Sequence, residues 1–203
     1  MRRGRFIVLE GPDKSGKSTH AALLVKELKA RGLRVVHTRE PGGTVFAEAV
    51  RKILLSNAHI VHPLSELLLY EAARAQHTQD VLLPALRRGS VVLSERYTLA
   101  SLAYQGFGRR LGLPLVRQLN RIAASGLQPD LTLVLDIPES CLTTRDPSRK
   151  LDRLEKESLA FHRRVRRAYR RLSRSEPKTR LIDADRPGAD VHRDILRLIE
   201  PLF

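Results

Sequence analysis

The chain has 203 residues, 42% of them hydrophobic, with 37 Lys and Arg against 22 Asp and Glu and a formal charge of +15. That length supports one domain with a substantial core, and the single cysteine, Cys141, excludes an internal disulfide and a cysteine-based metal cluster. No apolar run approaches the ~18 residues of a membrane span, and the run after Met1-Arg2-Arg3-Gly4-Arg5 is too short for a signal segment, so a soluble cytoplasmic protein is expected.

Apolar runs alternate with helical patterns from end to end, the signature of an α/β fold around a mostly parallel sheet. Strands are expected at Phe6 to Glu10, Arg34 to Thr38, Val91 to Ser94, Leu131 to Asp136 and Arg180 to Asp183. After the first comes Gly11-Pro12-Asp13-Lys14-Ser15-Gly16-Lys17-Ser18-Thr19, of the form G-x-x-x-x-G-K-[ST]. Its glycines let the backbone curl so that successive N–H groups face phosphate oxygens at a helix N-terminus. Lys17 is placed to reach the β- and γ-phosphates of a nucleotide, and the Ser18 hydroxyl to ligate Mg²⁺.

Helices are expected from Lys17 to about Ala30, closed by Gly32, and from Val45 to Leu55. Between them Arg39-Glu40-Pro41-Gly42-Gly43-Thr44 ends a strand where an open sheet binds ligands, and Arg39 offers a bidentate fork for phosphate; a plain turn explains it equally well. A pattern from Leu64 to Arg88 should be kinked or divided by Pro84. On it Tyr70 and Arg74 are four apart, on one face, where a ring and a guanidinium can hold a base or simply pack the core. Glu95 and Arg96 follow the third strand, placed for a magnesium network and an acceptor phosphate, or for a mutual salt bridge.

Short helices are expected at Thr98 to Tyr104 and Leu115 to Ser125. Arg145-Asp146-Pro147-Ser148-Arg149-Lys150 is a basic turn that suits a flap over a migrating phosphoryl group, or a solvated loop. A long amphipathic helix from Leu154 to Ser173 carries Arg163, Arg164, Arg166, Arg167, Arg170, Arg171 and Arg174; a nucleic-acid patch needs interleaved aromatics that are missing there, so a solvated face is preferred. The final helix is expected from about Ala189 to Phe203.

Taken in this order, the P-loop, Thr38 to Thr44, Ala72-Ala73-Arg74-Ala75-Gln76, Ala103-Tyr104-Gln105-Gly106, Pro129 to Asp136 and Leu151-Asp152-Arg153-Leu154-Glu155 resemble the thymidylate kinase family, P-loop enzymes that phosphorylate dTMP with Mg-ATP. The match covers nearly the whole chain. It implies a three-layer α/β sandwich, a five-stranded parallel sheet of order 2-3-1-4-5, a lid over about 143–152 and one nucleoside monophosphate kinase domain, commonly homodimeric.

By resemblance, Arg39 and Arg96 grip the dTMP phosphate, Tyr70 stacks on thymine and Arg74 bonds its carbonyl edge. Ser101 and Gln105 face the acceptor, and Tyr104 crowds the 2′ position of the sugar. Asp13 lies near the sugar or acceptor phosphate, Lys14 beside the transferring group, Glu95 near magnesium, and Arg149 in the lid. Thr144 stands where an arginine usually packs on adenine, with Arg145 one place later. Tyr70 stands where Phe is usual, and Glu95 where Asp is usual. The expected reaction turns ATP and dTMP into ADP and dTDP; the alternatives are another acceptor, such as dUMP or a deoxynucleoside, and a module that binds ATP or nucleic acid with weak catalysis.

Overall fold

The computed structural model describes residues 4–141 and 151–203. Among them, β1 (Phe6–Glu10), β2 (Val35–Arg39), β3 (Val91–Glu95), β4 (Leu131–Asp136) and β5 (Thr179–Asp183) form one parallel sheet in the expected order 2-3-1-4-5. Every strand lies within a residue of its expected bounds. β1 is central, paired with β3 on one side and β4 on the other.

All five residues of β1 are buried, as a parallel strand covered on both faces requires. Ile7 and Leu9 pack with Leu24 and Leu28 of α1 (Lys17–Ala30) and with Val191 and Ile195 of a C-terminal helix, Gly188–Ile199. Phe6 and Val8 face the opposite layer, against Leu86 and Tyr97. Truncating Leu9 to Ala in such a core is expected to cost ~2–5 kcal/mol.

On the far layer lie α2 (Val45–Leu55), α3 (Pro63–His77), α4 (Leu83–Arg87), α5 (Thr98–Ser101) and α6 (Leu113–Ala123), followed by α7 (Leu159–Ser175); the helix Gly188–Ile199 is α8. Thr44 caps α2 by accepting from the Ala47 N–H at 3.0 Å, and Pro63 opens α3 where a missing N–H is harmless.

Some boundaries differ from expectation for local reasons. A π-helical turn, Thr78–Leu82, divides the long pattern before Arg88, whereas Pro84 sits harmlessly in the first turn of α4. The helix starting at Thr98 continues as a π-helical stretch, Leu102–Gly108. α7 begins at Leu159 and not at Leu154: Asp152 accepts the N–H groups of Leu154 and Glu155 at 2.9 Å each, folding a separate turn. Ser158 then caps α7 on the Phe161 N–H at 3.3 Å. α8 stops at Ile199, followed by a 3-10 turn, Glu200–Leu202.

The arginine-rich face of α7 is largely occupied within the fold. Arg166 pairs with Asp136 and Glu139, Arg164 donates to the Gly108 carbonyl, and Arg171 lies over the Phe107 ring. Guanidinium groups held in this way offer less to a polyanion than their number suggests.

Candidate active site

The carboxyl ends of β1, β2 and β3 gather Glu10, Arg39 and Glu95; register pairs Leu9 and Arg39 each with Glu95. From β1 the chain enters the phosphate loop. Gly11 is at φ +134°, and a Cβ there would lie 2.3 Å from the Leu135 carbonyl oxygen, so only glycine lets the loop pass β4. Gly16, at φ +89°, then turns the chain into α1.

Lys17 Nζ donates to the carbonyls of Gly11 at 3.1 Å and Pro12 at 2.6 Å and to Ser15 Oγ at 3.3 Å, folding the ammonium onto its own loop. Burial and the nearby Arg96 pull its pKa down to about 7, against the opposing charges of Asp13, Glu10 and Glu95. Ser18 Oγ donates to Glu95 Oε2 at 2.5 Å, and His37 Nε2 bonds Glu95 Oε1 at 3.0 Å. Burial would raise the Glu95 pKa, but these two hydrogen bonds and the His37 and Lys17 charges lower it. The Ser18 and Glu95 oxygens therefore converge beside a hollow whose wall includes Lys14, Lys17, Thr19, Arg39 and Arg51.

A second, more apolar hollow adjoins the first. Its wall includes Leu55, Tyr70, Tyr97, Ala100, Tyr104 and Leu154. Asp13, Glu40, Arg51 and Arg96 line both hollows. Arg96 pairs with Asp13, donates to Tyr104 Oη at 3.3 Å, and stacks its guanidinium 5.0 Å from the Tyr104 ring centroid. Tyr104 Oη in turn donates to Asp13 at 3.0 Å. Burial alone would raise the Asp13 pKa, yet Arg96 and Lys17 hold it at about 2.

Arg74 enters the second hollow from α3 as a fully buried guanidinium. Its Nε donates to Glu40 at 2.8 Å and one terminal nitrogen to Glu71 at 2.7 Å, Ser101 at 3.0 Å and Asn120 at 2.6 Å. The other terminal nitrogen donates to the Tyr97 carbonyl at 3.0 Å. Ser101 and Gln105 also line this hollow, Gln105 tied to the buried Glu66 at 2.8 Å.

The structure thus brings Asp13 through Thr19, Arg39, Glu95 and Arg96 around the cradle, and Tyr70, Arg74, Arg96, Ser101, Tyr104 and Gln105 around the adjoining hollow. Arg39 is itself held by Glu48, at 3.2 Å. Thr144, Arg145 and Arg149, with most of the expected lid, lie outside the described residues.

Sequence reasoning gave no role to Glu10, Glu40, Arg51, His77 or Tyr169. His77 joins Thr38 Oγ1 at 2.7 Å to Glu40 Oε1 at 3.0 Å and so braces the loop after β2. A signal did exist for Glu10, a carboxylate ending an otherwise apolar strand, and for Tyr169, a polar-tipped ring in the apolar stripe of α7. Arg51 gave none.

The family model described as thymidylate kinase matches residues 9–195. A curated relative of that name from Methylococcus capsulatus is 49% identical, the alignment covering 100% of this chain and 98% of the relative. Another, from Pelotomaculum thermopropionicum, is 48% identical over 99% of this chain and 95% of its own length. The solved structure of thymidylate kinase from Ehrlichia chaffeensis superposes with a TM-score of 0.82 at 29% identity, covering 98% of this chain and 100% of that one.

Proposed function

Because the chain belongs to the thymidylate kinase family, an ATP-dependent kinase that converts dTMP to dTDP, we propose that its two adjoining hollows are the donor and acceptor sites of that reaction. The observation that supports this most directly is the Asp13–Arg96 pair in the wall common to both hollows, where a transferring phosphoryl group must pass.

The transfer needs little covalent help from the protein; it needs alignment and neutralised charge. Loop N–H groups, Lys17 and Lys14 bind the ATP phosphates, while Arg96 and Arg39 hold the dTMP phosphate in line. Tyr70 stacks on the base within the apolar hollow and Arg74 presents its edge to it, the guanidinium fixed by Glu40 and Glu71. Tyr104, anchored on Asp13, fills the space beside the sugar. The family resemblance assigns Arg149 and Arg145, which lie outside the described residues, to the donor side.

Ser18 Oγ and Glu95, joined by a hydrogen bond at the edge of the cradle, offer the hard oxygen donors that suit Mg²⁺. Held there, Mg²⁺ would supply charge neutralisation for the phosphates of ATP. The 203 residues act as one domain. Among the described residues no helix is long and apolar enough to cross a membrane. The cytoplasm, where ATP and nucleotides are available, is the proposed location. A homodimer is supported by apolar side chains left exposed on neighbouring helices: Phe46 and Ile53 on α2, Leu64 and Leu68 on α3, Ile122 on α6.

Coupled assays over dTMP, dUMP, dCMP and thymidine with Mg-ATP test the acceptor. Preference for dTMP supports the assignment, and faster turnover of another acceptor overturns it. Lys17→Ala should abolish turnover and leave the fold intact; a variant that keeps most activity contradicts the donor site.

A further inference from the structure

The Arg96 backbone is at φ +70°, left-handed geometry that costs a non-glycine residue ~1 kcal/mol or more. Such strain persists only where the surroundings over-determine it. The Arg96 N–H donates to the Leu9 carbonyl at 2.8 Å and Ser94 Oγ to the Arg96 carbonyl at 2.8 Å. Immediately after it, the N–H groups of Tyr97 and Ala100 donate to one oxygen of Glu10, at 2.8 and 3.1 Å.

Glu10 is fully buried, 0% exposed, and takes no part in the reaction described above. Its other oxygen accepts from Tyr169 Oη at 2.8 Å. That same Oη accepts from Arg96 Nη1 at 3.2 Å, and Nη1 also donates to the Gly11 carbonyl at 3.0 Å. The guanidinium therefore has two sides. Nη2 bonds Asp13 and Tyr104, which line the hollows; Nη1 bonds Gly11 and Tyr169, which among the described residues line neither.

We propose that Tyr169 and Glu10 are a positioning pair for Arg96: the hydroxyl, held by the buried carboxylate, anchors the rear of the guanidinium so that its front is aimed at the acceptor phosphate. The inference rests on the assignment of Arg96 to that phosphate. When phosphate arrives, the front bonds to Asp13 and Tyr104 are the ones that can be exchanged. The rear bonds remain, so the arginine loses little conformational freedom on binding. The pair also satisfies an electrostatic need, since a buried carboxylate is tolerated only when bonded and near a cation.

Tyr169→Phe removes the hydroxyl and keeps the ring, whose centroid lies 6.3 Å from that of Tyr104. With Mg-ATP it is expected to raise the dTMP KM by roughly three- to tenfold, below the full loss of a charge-assisted bond, because Gly11 still holds Nη1. The ATP KM should stay near wild type, while the melting temperature falls somewhat because the buried Glu10 Oε2 loses its hydroxyl donor. A purely structural role would move both KM values together, and that result overturns the proposal. Glu10→Gln, which keeps an oxygen for the Tyr97 and Ala100 N–H groups, is expected to show the same acceptor-selective effect and carries the test should Tyr169→Phe fail to fold. Arg96→Lys separates the two levels. If it raises the dTMP KM while neither other variant does, the positioning role fails alone; if it leaves the dTMP KM unchanged, the assignment of Arg96 fails and the positioning role with it.

Discussion

Lys17 and Arg96 share one acceptor: the Gly11 carbonyl oxygen receives Lys17 Nζ at 3.1 Å and Arg96 Nη1 at 3.0 Å. The proposed donor cradle and the proposed acceptor arginine are thus joined through a single backbone atom. Their proximity has an electrostatic consequence. Burial and Arg96 depress the Lys17 pKa to about 7, and a polyphosphate in the cradle supplies the negative charge that restores it.

At pH 8 the free ammonium is therefore mostly deprotonated, and binding of Mg-ATP is expected to take up about one proton. At pH 6 Lys17 is already charged and uptake should vanish. Titration calorimetry in two buffers of different ionisation enthalpy reads the proton count directly. Equal uptake at both pH values would contradict the depressed lysine.

Asp13 gives the opposite sign. Its pKa is held at about 2 in the fold against 3.8 in the open chain, so it stabilises the protein above about pH 4, and that contribution is lost as pH falls towards 2. The difference corresponds to about 2 kcal/mol. Asp13→Asn should lower unfolding stability by about that amount at pH 7, and the gap to wild type should close near pH 2. Urea titrations at several pH values between these limits test it; a gap independent of pH would mean that packing, not charge, is lost.

The inner strands were legible because a parallel sheet buried on both faces demands unbroken apolar runs such as Phe6 to Leu9, and few other structures do. Helix ends were less so. Leu154 is in phase with the apolar stripe of α7, and nothing in periodicity says that the Asp152 side chain will capture two N–H groups and start a separate turn. The phosphate loop was legible in full, since its backbone geometry dictates its glycines. What escaped was the buried polar scaffold. Tyr169 and Glu10 are 159 residues apart, and Arg74 draws partners from the loop after β2, from α5 and from α6, so no local pattern announces either cluster.

That scaffold changes what an Arg74 substitution measures. The family resemblance suggests that Arg74→Ala would harm dTMP use far more than ATP binding. In the fold, Glu40 and Glu71 both pair with Arg74, and both are nearly inaccessible to water. Removing the guanidinium takes the cation from two buried carboxylates, Glu40 keeping its bond to His77, and a loss of about 3–5 kcal/mol is expected. Urea denaturation should show it before any assay does. Stability within about 1 kcal/mol of wild type would mean that the two carboxylates are protonated or newly hydrated.

The loop after β2 depends on a glycine for a reason that a matched pair of substitutions can isolate. Gly43 and Gly32 both have positive φ, +82° and +79°. An alanine at Gly32 would meet nothing within 4 Å, so it should cost only the backbone strain, about 1 kcal/mol. At Gly43 the new Cβ would lie 2.5 Å from Thr38 Oγ1 and 2.7 Å from the His77 ring. It must push apart the Thr38–His77–Glu40 chain that braces Arg74. Gly43→Ala is therefore expected to cost about 3 kcal/mol, strain plus a broken buried bond. It should also raise the dTMP KM, because Glu40 and Arg39 border the hollows proposed for acceptor and donor. Gly32→Ala should leave that KM unchanged. Equal stability losses for the two variants would show that the loop yields where the packing says it cannot.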